Sequence, residues 1–188
     1  MRTCEWCGKS IVSRNAQARF CSGRCRVSAH RAAKTAPAFP HELTSRDRWM
    51  RWDKKLRKGK VQKVPIRLDG SNAKSTDPRT WSNYTQAARS TIGEGLGFAL
   101  GDGIGCIDLD HCLIDGKLTP AASAYLRDYT EHFIEISPSG DGLHIWGTML
   151  EQPGRKQTIN GLSIETYSTG RYITITGNTY QRGQLLPL

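Results

Sequence analysis

The sequence contains no uninterrupted apolar run long enough to cross a bilayer, and its first residues lack the apolar core of a secretory signal. Acidic residues are few, 17 against 27 Lys and Arg, so the formal net charge is +10. This imbalance disfavours an enzyme of neutral metabolites and favours an anionic partner such as nucleic acid or nucleotide. The six cysteines are not spread evenly, which argues against a disulfide scaffold. We therefore expect a cytoplasmic protein without a membrane partner.

Two regions of unequal size follow from the composition. A chain of 188 residues that is 37% hydrophobic suffices for one compact domain and a small appendage. Residues 1–36 hold eight Lys and Arg but a single acid, Glu5, and so carry most of the excess positive charge. Pro37 and Pro40 then interrupt any helix, because proline lacks an amide proton and restricts the residue before it. The sequence predicts a module over residues 1–36 and a main domain over residues 37–188.

Short segments of alternating apolar and polar residues dominate the main domain, as in strands. The predicted strands cover residues 48–52, 61–68, 95–100, 104–110, 133–136, 143–146, 163–167 and 171–176. Asp77 and Thr119, each followed by proline, predict the starts of two helices, the first over about residues 78–90. The glycine-rich residues 101–103 predict a tight hairpin. This order predicts an α+β fold, a mainly antiparallel sheet with helices packed on one face.

Four cysteines lie within the first 25 residues as two close pairs, Cys4-x2-Cys7 and Cys21-x3-Cys25. Each pair can hold one edge of a tetrahedral Zn²⁺ through deprotonated sulfur. A module of this size cannot bury enough apolar surface to fold alone, so a structural zinc would supply much of its folding free energy. Ser22 suits a helix cap, which places Cys25 in the first helical turn. The motifs Cys-x2-Cys-Gly-Lys and Phe-Cys-Ser-x2-Cys-Arg resemble a treble-clef-like zinc finger of phage and bacterial proteins.

Two roles are open for this module. Its excess of arginine favours contact with nucleic acid, because neutralised phosphates release counterions. The alternative is a module that only supports the fold or binds protein. His30 is a further candidate ligand, although four sulfurs already complete a tetrahedral site.

Two aspartates alternate with apolar residues in the segment 105–112. Within a strand, Asp108 and Asp110 project to one face about 7 Å apart, while Ile107 and Leu109 point to the other. Two carboxylates this close repel, so the pair is costly without a cation. Mg²⁺ or Mn²⁺ would resolve the conflict, because hard divalent ions take carboxylate oxygens and bridge phosphates. The structural alternative is a strand end that enters an acidic turn.

A glycine-rich turn precedes a histidine in the segment 137–146. Ser139, Gly140 and Gly142 lie where backbone amides can approach a phosphate closely, and His144 can donate a hydrogen bond to it. A histidine with a purely structural role is the alternative. Glu165 alternates with apolar residues in a later strand and can face the aspartate pair across the sheet. Three acids and a histidine would then converge.

These motifs in this order resemble the bifunctional primase/polymerase domains of phages and plasmids, within the archaeo-eukaryotic primase superfamily. The matching segments are Asp-Leu-Asp at 108–110, Gly-Leu-His at 142–144 and Ile-Glu at 164–165. The resemblance extends over about residues 45–180. It implies a template-directed nucleotidyltransferase, a DNA primase and polymerase, whose core looks like a modified RNA-recognition fold.

The resemblance also implies roles for individual residues. Asp108, Asp110 and Glu165 would ligate the catalytic Mg²⁺ or Mn²⁺. The residues implied to bind the nucleotide are Lys63, Ser139, Gly140, Gly142, His144 and Arg171. The family often has Ser-x-His where this chain has Gly142, so a backbone amide or Ser139 must replace the serine hydroxyl.

The implied reaction is attack of a primer 3′-hydroxyl, or that of a first nucleotide, on the α-phosphorus of a nucleoside triphosphate. Its partners would be a single-stranded DNA template and nucleoside triphosphates. Because the chain has no Gly-x4-Gly-Lys-Ser/Thr loop, a replicative helicase would be a separate protein. The alternatives are a catalytically inactive nucleic-acid-binding replication-initiation protein and a nuclease.

Basic residues cluster in and around the first predicted hairpin and suit a template backbone. They are Arg46, Arg48, Arg51, Lys54, Lys55, Arg57, Lys58, Lys60 and Lys63. Trp49 and Trp52 suit either base stacking or the core.

Overall fold

The chain forms two compact units in the computed structural model, Met1–Pro37 and Ala38–Leu188. The structure describes residues 2–7, 9–12, 15, 17–28, 39–57 and 59–188. The predicted boundary at residue 36, the candidate ligand His30 and the hairpin residue Lys58 lie outside the described residues. Within the described ranges, no helix is both long enough and apolar enough to span a membrane.

The first unit is organised around its cysteines. Thr3 and Ser10 form an isolated antiparallel bridge that closes the loop carrying the first cysteine pair. Residues 23–28 are helical. The amide of Cys25 donates to Ser22 Oγ at 3.2 Å, so Ser22 caps this helix as the sequence predicts.

The second unit is built from short helices and strands. Its described α-helices are α1 His41–Thr44, α2 Tyr84–Arg89 and α3 Pro120–Tyr125, with 3₁₀ turns at Pro78–Thr80 and Leu126–Tyr129. Its described strands are β1 Trp49–Arg57, β2 Lys60–Ile66, β3 Gly95–Ala99, β4 Ile104–Asp110, β5 Leu113–Ile114, β6 Lys117–Leu118, β7 Phe133–Ile136, β8 Leu143–Thr148, β9 Arg155–Ile159, β10 Leu162–Tyr167, β11 Tyr172–Ile175 and β12 Thr179–Gln181.

These strands form two large sheets and one small ribbon. The four-stranded sheet has the order β11-β3-β1-β2, the six-stranded sheet has the order β12-β7-β8-β4-β10-β9, and β5 pairs with β6. All of these strand pairs are antiparallel. The predicted α+β class with mainly antiparallel strands is therefore confirmed, although the strands divide between two sheets.

An aromatic core joins the two large sheets. Trp49 and Phe98 of the four-stranded sheet and Trp146 of the six-stranded sheet are all fully buried. The ring centroid of Phe98 lies 5.3 Å from that of Trp49 and 6.0 Å from that of Trp146. Helices α1 and α2 add Leu43 and Ala87 to the same cluster. Burial of each large side chain contributes about 1.5–3 kcal/mol, and Trp49 is a core residue rather than a base-stacking one.

The opposite face of the six-stranded sheet packs on α3. Ile107 and Leu109 of β4 lie in one apolar cluster with Ala122 of this helix. Thr119 Oγ1 accepts from the amide of Ala122 at 3.2 Å and so caps the helix, as predicted. Because side chains alternate along a strand, Asp108 projects toward the other side, between the sheets.

The predicted helix over residues 78–90 is wrong in its middle. A 3₁₀ turn covers Pro78–Thr80, and α2 begins only after Asn83, whose side chain accepts from the amide of Gln86. Between them the amide of Ser82 donates to the carbonyl of Trp49 at 2.7 Å. This tertiary contact with β1 outweighs the local helical pattern.

The predicted hairpin at residues 101–103 is also wrong. Strands β3 and β4, which flank this turn, belong to different sheets. The turn conformation itself is present, since Asp102 has φ 57° and the amide of Ile104 donates to the carbonyl of Gly101 at 3.2 Å. The turn carries the chain from one sheet to the other.

Candidate active site

One row of polar side chains crosses the six-stranded sheet. In β7-β8-β4-β10-β9, directly opposed residues form an unbroken series of pairs. Because opposed residues in antiparallel strands share a face, these side chains project together toward the space between the sheets. We call this set the polar row, and it consists of Glu135, His144, Asp108, Glu165 and Lys156.

The structure brings the three predicted acids onto one face. Asp108 is directly opposite Glu165 across the β4–β10 ladder, and Asp110 follows two positions along β4. Burial raises the pKa of Asp108, and the charges of Asp110 and Glu165 raise it further. His144 and Lys63 act in the opposite direction. Carboxylates on one face can take a hard divalent cation, which would relieve their repulsion. Among the described residues, however, only the four cysteines of the first unit already have their ligand atoms close enough together to hold a metal ion.

Protein donors hold the Glu165 carboxylate. Lys156 forms an ion pair with one of its oxygens, and the Tyr167 hydroxyl donates to the other at 2.5 Å. Burial by itself would raise the pKa of Glu165, but the hydrogen bonds from Lys156 and Tyr167 lower it below its usual value. Arg171, a predicted nucleotide-binding residue, lies with its guanidinium 4.3 Å from the Tyr167 ring centroid. Each oxygen of Glu165 thus already accepts one protein donor, and a cation bound there would share the carboxylate with Lys156 and Tyr167.

His144 occupies the centre of the row, between two carboxylates. Its side chain is 3% exposed, with Nδ1 3.0 Å from Glu135 Oε1 and Nε2 3.7 Å from Asp108 Oδ1. The sequence argument missed Glu135. The available signal was a lone glutamate in the apolar strand Phe-Ile-Glu-Ile, since glutamate is almost never fully buried unless it is paired.

The glycine-rich turn, residues 137–142, connects the end of β7 to the start of β8 and lies next to the polar row. The amide of Gly140 donates to the carbonyl of Ser137 at 3.0 Å, and Gly140 has φ +86°. A Cβ on Gly142 would lie 2.8 Å from both the carbonyl oxygen of Leu109 and Ser137 Oγ. A serine therefore has no room at this position. Ser139 Oγ contacts Ser137 Oγ at 2.9 Å, so it is engaged within the turn.

A second contact ties this turn to β4. His111, which directly follows the strand, places Nδ1 2.6 Å from Asp141 Oδ2. Asp141 raises the pKa of His111, and hydrogen bonds from Ser139 and His111 lower the pKa of Asp141. The sequence argument did not single out this pair.

A cleft of about 450 Å³ lies beside the polar row. Lys63, Lys54 and Pro138 are among its lining residues, as is Thr176, whose amide donates to Glu135 Oε2 at 2.9 Å. Lys63 Nζ lies 5.8 Å from the ring centroid of Trp52, which is 6% exposed and forms part of the wall. The structure thus brings Lys63 near the acids, while the side chain of Trp52 is too buried to be an open stacking platform.

Three arginines of the predicted template-binding set have structural contacts instead. Arg46 pairs with Asp102, whereas Arg48 and Arg51 donate to backbone carbonyls at 2.7 Å. Burial lowers the pKa of Arg48 and of Arg51. The exposed basic residues of β1 and β2 are Lys54, Arg57, Lys60 and Lys63.

The four cysteines of the first unit form a candidate metal centre. Their sulfur atoms all lie within 4.8 Å of one another, and three pairs are 3.4, 3.6 and 3.8 Å apart. Tetrahedral coordination with metal–sulfur bonds near 2.3 Å requires sulfur atoms about 3.8 Å apart. Hydrogen bonds that the Cys21 thiol donates to Cys25 and Cys7 raise the pKa of Cys21 to about 12. The donor set fits a tetrahedral metal ion.

The chain is 37% identical to the DNA Primase-polymerase of Nitratiruptor phage NrS-1 over 141 residues, covering 70% of this chain. The resemblance to phage primase-polymerases is confirmed. This chain spans 19% of the length of that relative, so the likeness concerns one segment of a larger protein. No family model matches the chain.

Proposed function

We propose that this chain is a template-directed nucleotidyltransferase that joins nucleoside triphosphates to a primer or first nucleotide in phage DNA replication. The observation that carries the proposal is the polar row, which sets Glu165, Asp108 and His144 side by side across three strands. The homology to a phage DNA primase-polymerase supports the same reaction class.

Each side chain of the site has a defined task in this reaction. Asp108, Asp110 and Glu165 would hold Mg²⁺ or Mn²⁺. A divalent cation held there would supply activation of the 3′-hydroxyl for attack on the α-phosphorus and would neutralise charge on the leaving pyrophosphate. His144 would present Nε2 to the phosphates of the incoming nucleotide, and Lys63 would add positive charge from the wall of the cleft.

Backbone groups of the turn complete the phosphate site. We assign the amide of Gly142 to this role, since the Ser139 hydroxyl and the Gly140 amide are both engaged within the turn. Arg171 would act near Glu165, on the side of the row away from His144. These roles follow the family pattern at the matching positions.

The template would lie along the exposed basic residues of β1 and β2. A single strand of DNA bound by such residues loses affinity as salt rises, because counterions are released on binding. Replacing Lys54 and Lys60 by alanine should weaken binding similarly for all template sequences and flatten the salt dependence.

The first unit would hold one structural Zn²⁺ through Cys4, Cys7, Cys21 and Cys25. Cysteine sulfurs in this spacing select zinc over hard ions such as Mg²⁺. This unit could contact nucleic acid or protein. If it contacts nucleic acid, the charge-reversed variant Arg24→Glu should bind DNA more weakly than the native chain, and equal binding would favour a role in protein contacts.

Primer extension on single-stranded DNA with Mg²⁺ or Mn²⁺ tests the proposed reaction. Asp108→Asn keeps the shape of the side chain and removes its charge. It should reduce incorporation at least about 100-fold. Loss of a residue that only supports a metal ligand costs up to about 100-fold, and loss of a ligand itself should cost at least as much. Asp128→Asn makes the same change at an exposed position and should match the native chain. Template binding without incorporation would favour the inactive initiation protein, and DNA degradation without triphosphates would favour the nuclease.

A further inference from the structure

A buried carboxylate supports His144 from the side opposite the aspartates. Glu135 on β7 is fully buried and stands directly opposite His144 on β8. Neither side chain is exposed enough to exchange its partner for water. A buried carboxylate persists only when its oxygens are hydrogen-bonded, so each contact of Glu135 is informative.

One oxygen of Glu135 is saturated by donors from the connection that follows β11. Oε2 accepts from the amides of Thr176 and Gly177, each at 2.9 Å, while the Thr176 hydroxyl donates to the carbonyl of Ile136 at 2.7 Å. These donors fix the carboxylate in place. The other oxygen, Oε1, lies 3.0 Å from His144 Nδ1.

This network assigns the histidine tautomer. Because the Glu135 oxygens act as acceptors, Nδ1 of His144 is the donor in this pair. The ring cannot turn over without breaking the hydrogen bond, so Nε2 stays 3.7 Å from Asp108 Oδ1 and faces the site.

We propose that Glu135 is a positioning residue that fixes the tautomer and ring orientation of His144. Nε2 then faces the site and, once it also takes up a proton from solvent as the phosphates bind, donates to them as part of a doubly protonated ring. The part about phosphates rests on the proposed function, whereas the tautomer is a property of the unliganded chain. Partners of this kind commonly orient histidines that bind metals or substrates. The competing role for Glu135 is purely structural, satisfying the two backbone amides.

Glu135→Gln separates the two roles. The two backbone amides at the Oε2 position require the side-chain oxygen of glutamine there, which leaves its NH₂ facing His144 Nδ1. This NH₂ donates to Nδ1, so Nδ1 becomes an acceptor and the tautomer is exchanged. A purely structural role predicts no such exchange.

Nitrogen NMR of the full chain with ¹⁵N-labelled histidine reads this directly, with the His144 signals assigned by their loss in His144→Asn. In the native chain, Nδ1 of His144 should give the signal of a protonated nitrogen, and in Glu135→Gln that of an unprotonated one. Glu131→Gln makes the same chemical change at an exposed position and should leave the signals unchanged. An unprotonated Nδ1 in the native chain overturns the proposal even if the variant does not fold, as does an unchanged Nδ1 in a folded variant.

Kinetics provides a second readout. In primer extension, Glu135→Gln should raise KM for the triphosphate about tenfold with a smaller change in kcat. The neutral ring of the variant still donates from Nε2, but a hydrogen bond from a neutral ring to phosphate is weaker than the charge-assisted one of the native chain. If NMR shows that the tautomer is exchanged in the variant but KM is unchanged, Nε2 of His144 does not bind the nucleotide phosphates. Should the native chain incorporate no nucleotide, the proposed function fails, while a tautomer exchange seen by NMR still supports the positioning role.

Discussion

Replacing Gly142 by alanine should damage both stability and catalysis, because the new Cβ has no space. It would lie 2.8 Å from the carbonyl oxygen of Leu109 and 2.8 Å from Ser137 Oγ, whereas ordinary contacts begin at 3.4 Å. The hydroxyl of Ser137 can rotate away. The carbonyl of Leu109 cannot move alone, since this residue is paired with β8 on one side and β10 on the other. Overpacking of this kind costs about 1–3 kcal/mol.

The same clash should reach the aspartates of the proposed site. Leu109 separates Asp108 from Asp110, so a shift of β4 displaces both of the carboxylates that we propose to hold the cations. Urea denaturation measures the loss of stability, and primer extension under conditions where the variant is folded measures the loss of activity.

A matched control separates the clash from backbone strain. Gly116→Ala meets no atom within 4 Å but has φ +72°, so it should cost about 1 kcal/mol and leave incorporation unchanged. If Gly142→Ala unfolds within about 0.5 kcal/mol of the native chain and keeps full activity, the steric argument is wrong.

Further predictions concern the metal centre and two charged pairs. Cys21→Ser should remove about one equivalent of zinc per chain, as measured by mass spectrometry, because one ligand of four is lost. Asp141 raises the pKa of His111, so the contribution of this pair to stability is present at low pH and disappears as pH rises through the folded-state value. Asp141→Asn should therefore move the His111 titration to lower pH by NMR, and an unmoved titration would refute the assignment. Lys156→Met frees the Glu165 carboxylate and should lower the Mn²⁺ concentration needed for half-maximal incorporation, whereas an increase would show that Lys156 assists catalysis.

Local pattern was sufficient for the strands that carry the site. Strand β7 has the predicted bounds. Strand β4 was also predicted correctly, because its apolar residues alternate with the two aspartates even though both faces of the sheet are covered. The weakly patterned strand β9 was missed, since Arg155–Ile159 is mostly exposed and has no apolar face to reveal it. Lys156 was missed with it.

Errors arose where distant contacts competed with local preferences. Ser82 is not helical, because its amide donates to the backbone carbonyl of Trp49, which is far away in the sequence. The turn at residues 101–103 has the predicted conformation but joins two sheets, because sheet membership depends on long-range pairing. Arg48 and Arg51 were expected at a template surface, yet they donate to backbone carbonyls of distant residues, whose positions only the folded chain defines.

By itself, the sequence determined the chemistry present: four cysteines in metal-binding spacing, two aspartates on one side of a strand, a histidine after a glycine-rich turn, and an excess of positive charge. Those properties depend on residue type and on separations of a few positions. Only the tertiary structure decided that Glu135, His144, Asp108, Glu165 and Lys156 form one row. Strand order and register arise from pairing between distant segments, so the neighbours of each carboxylate are fixed by the fold.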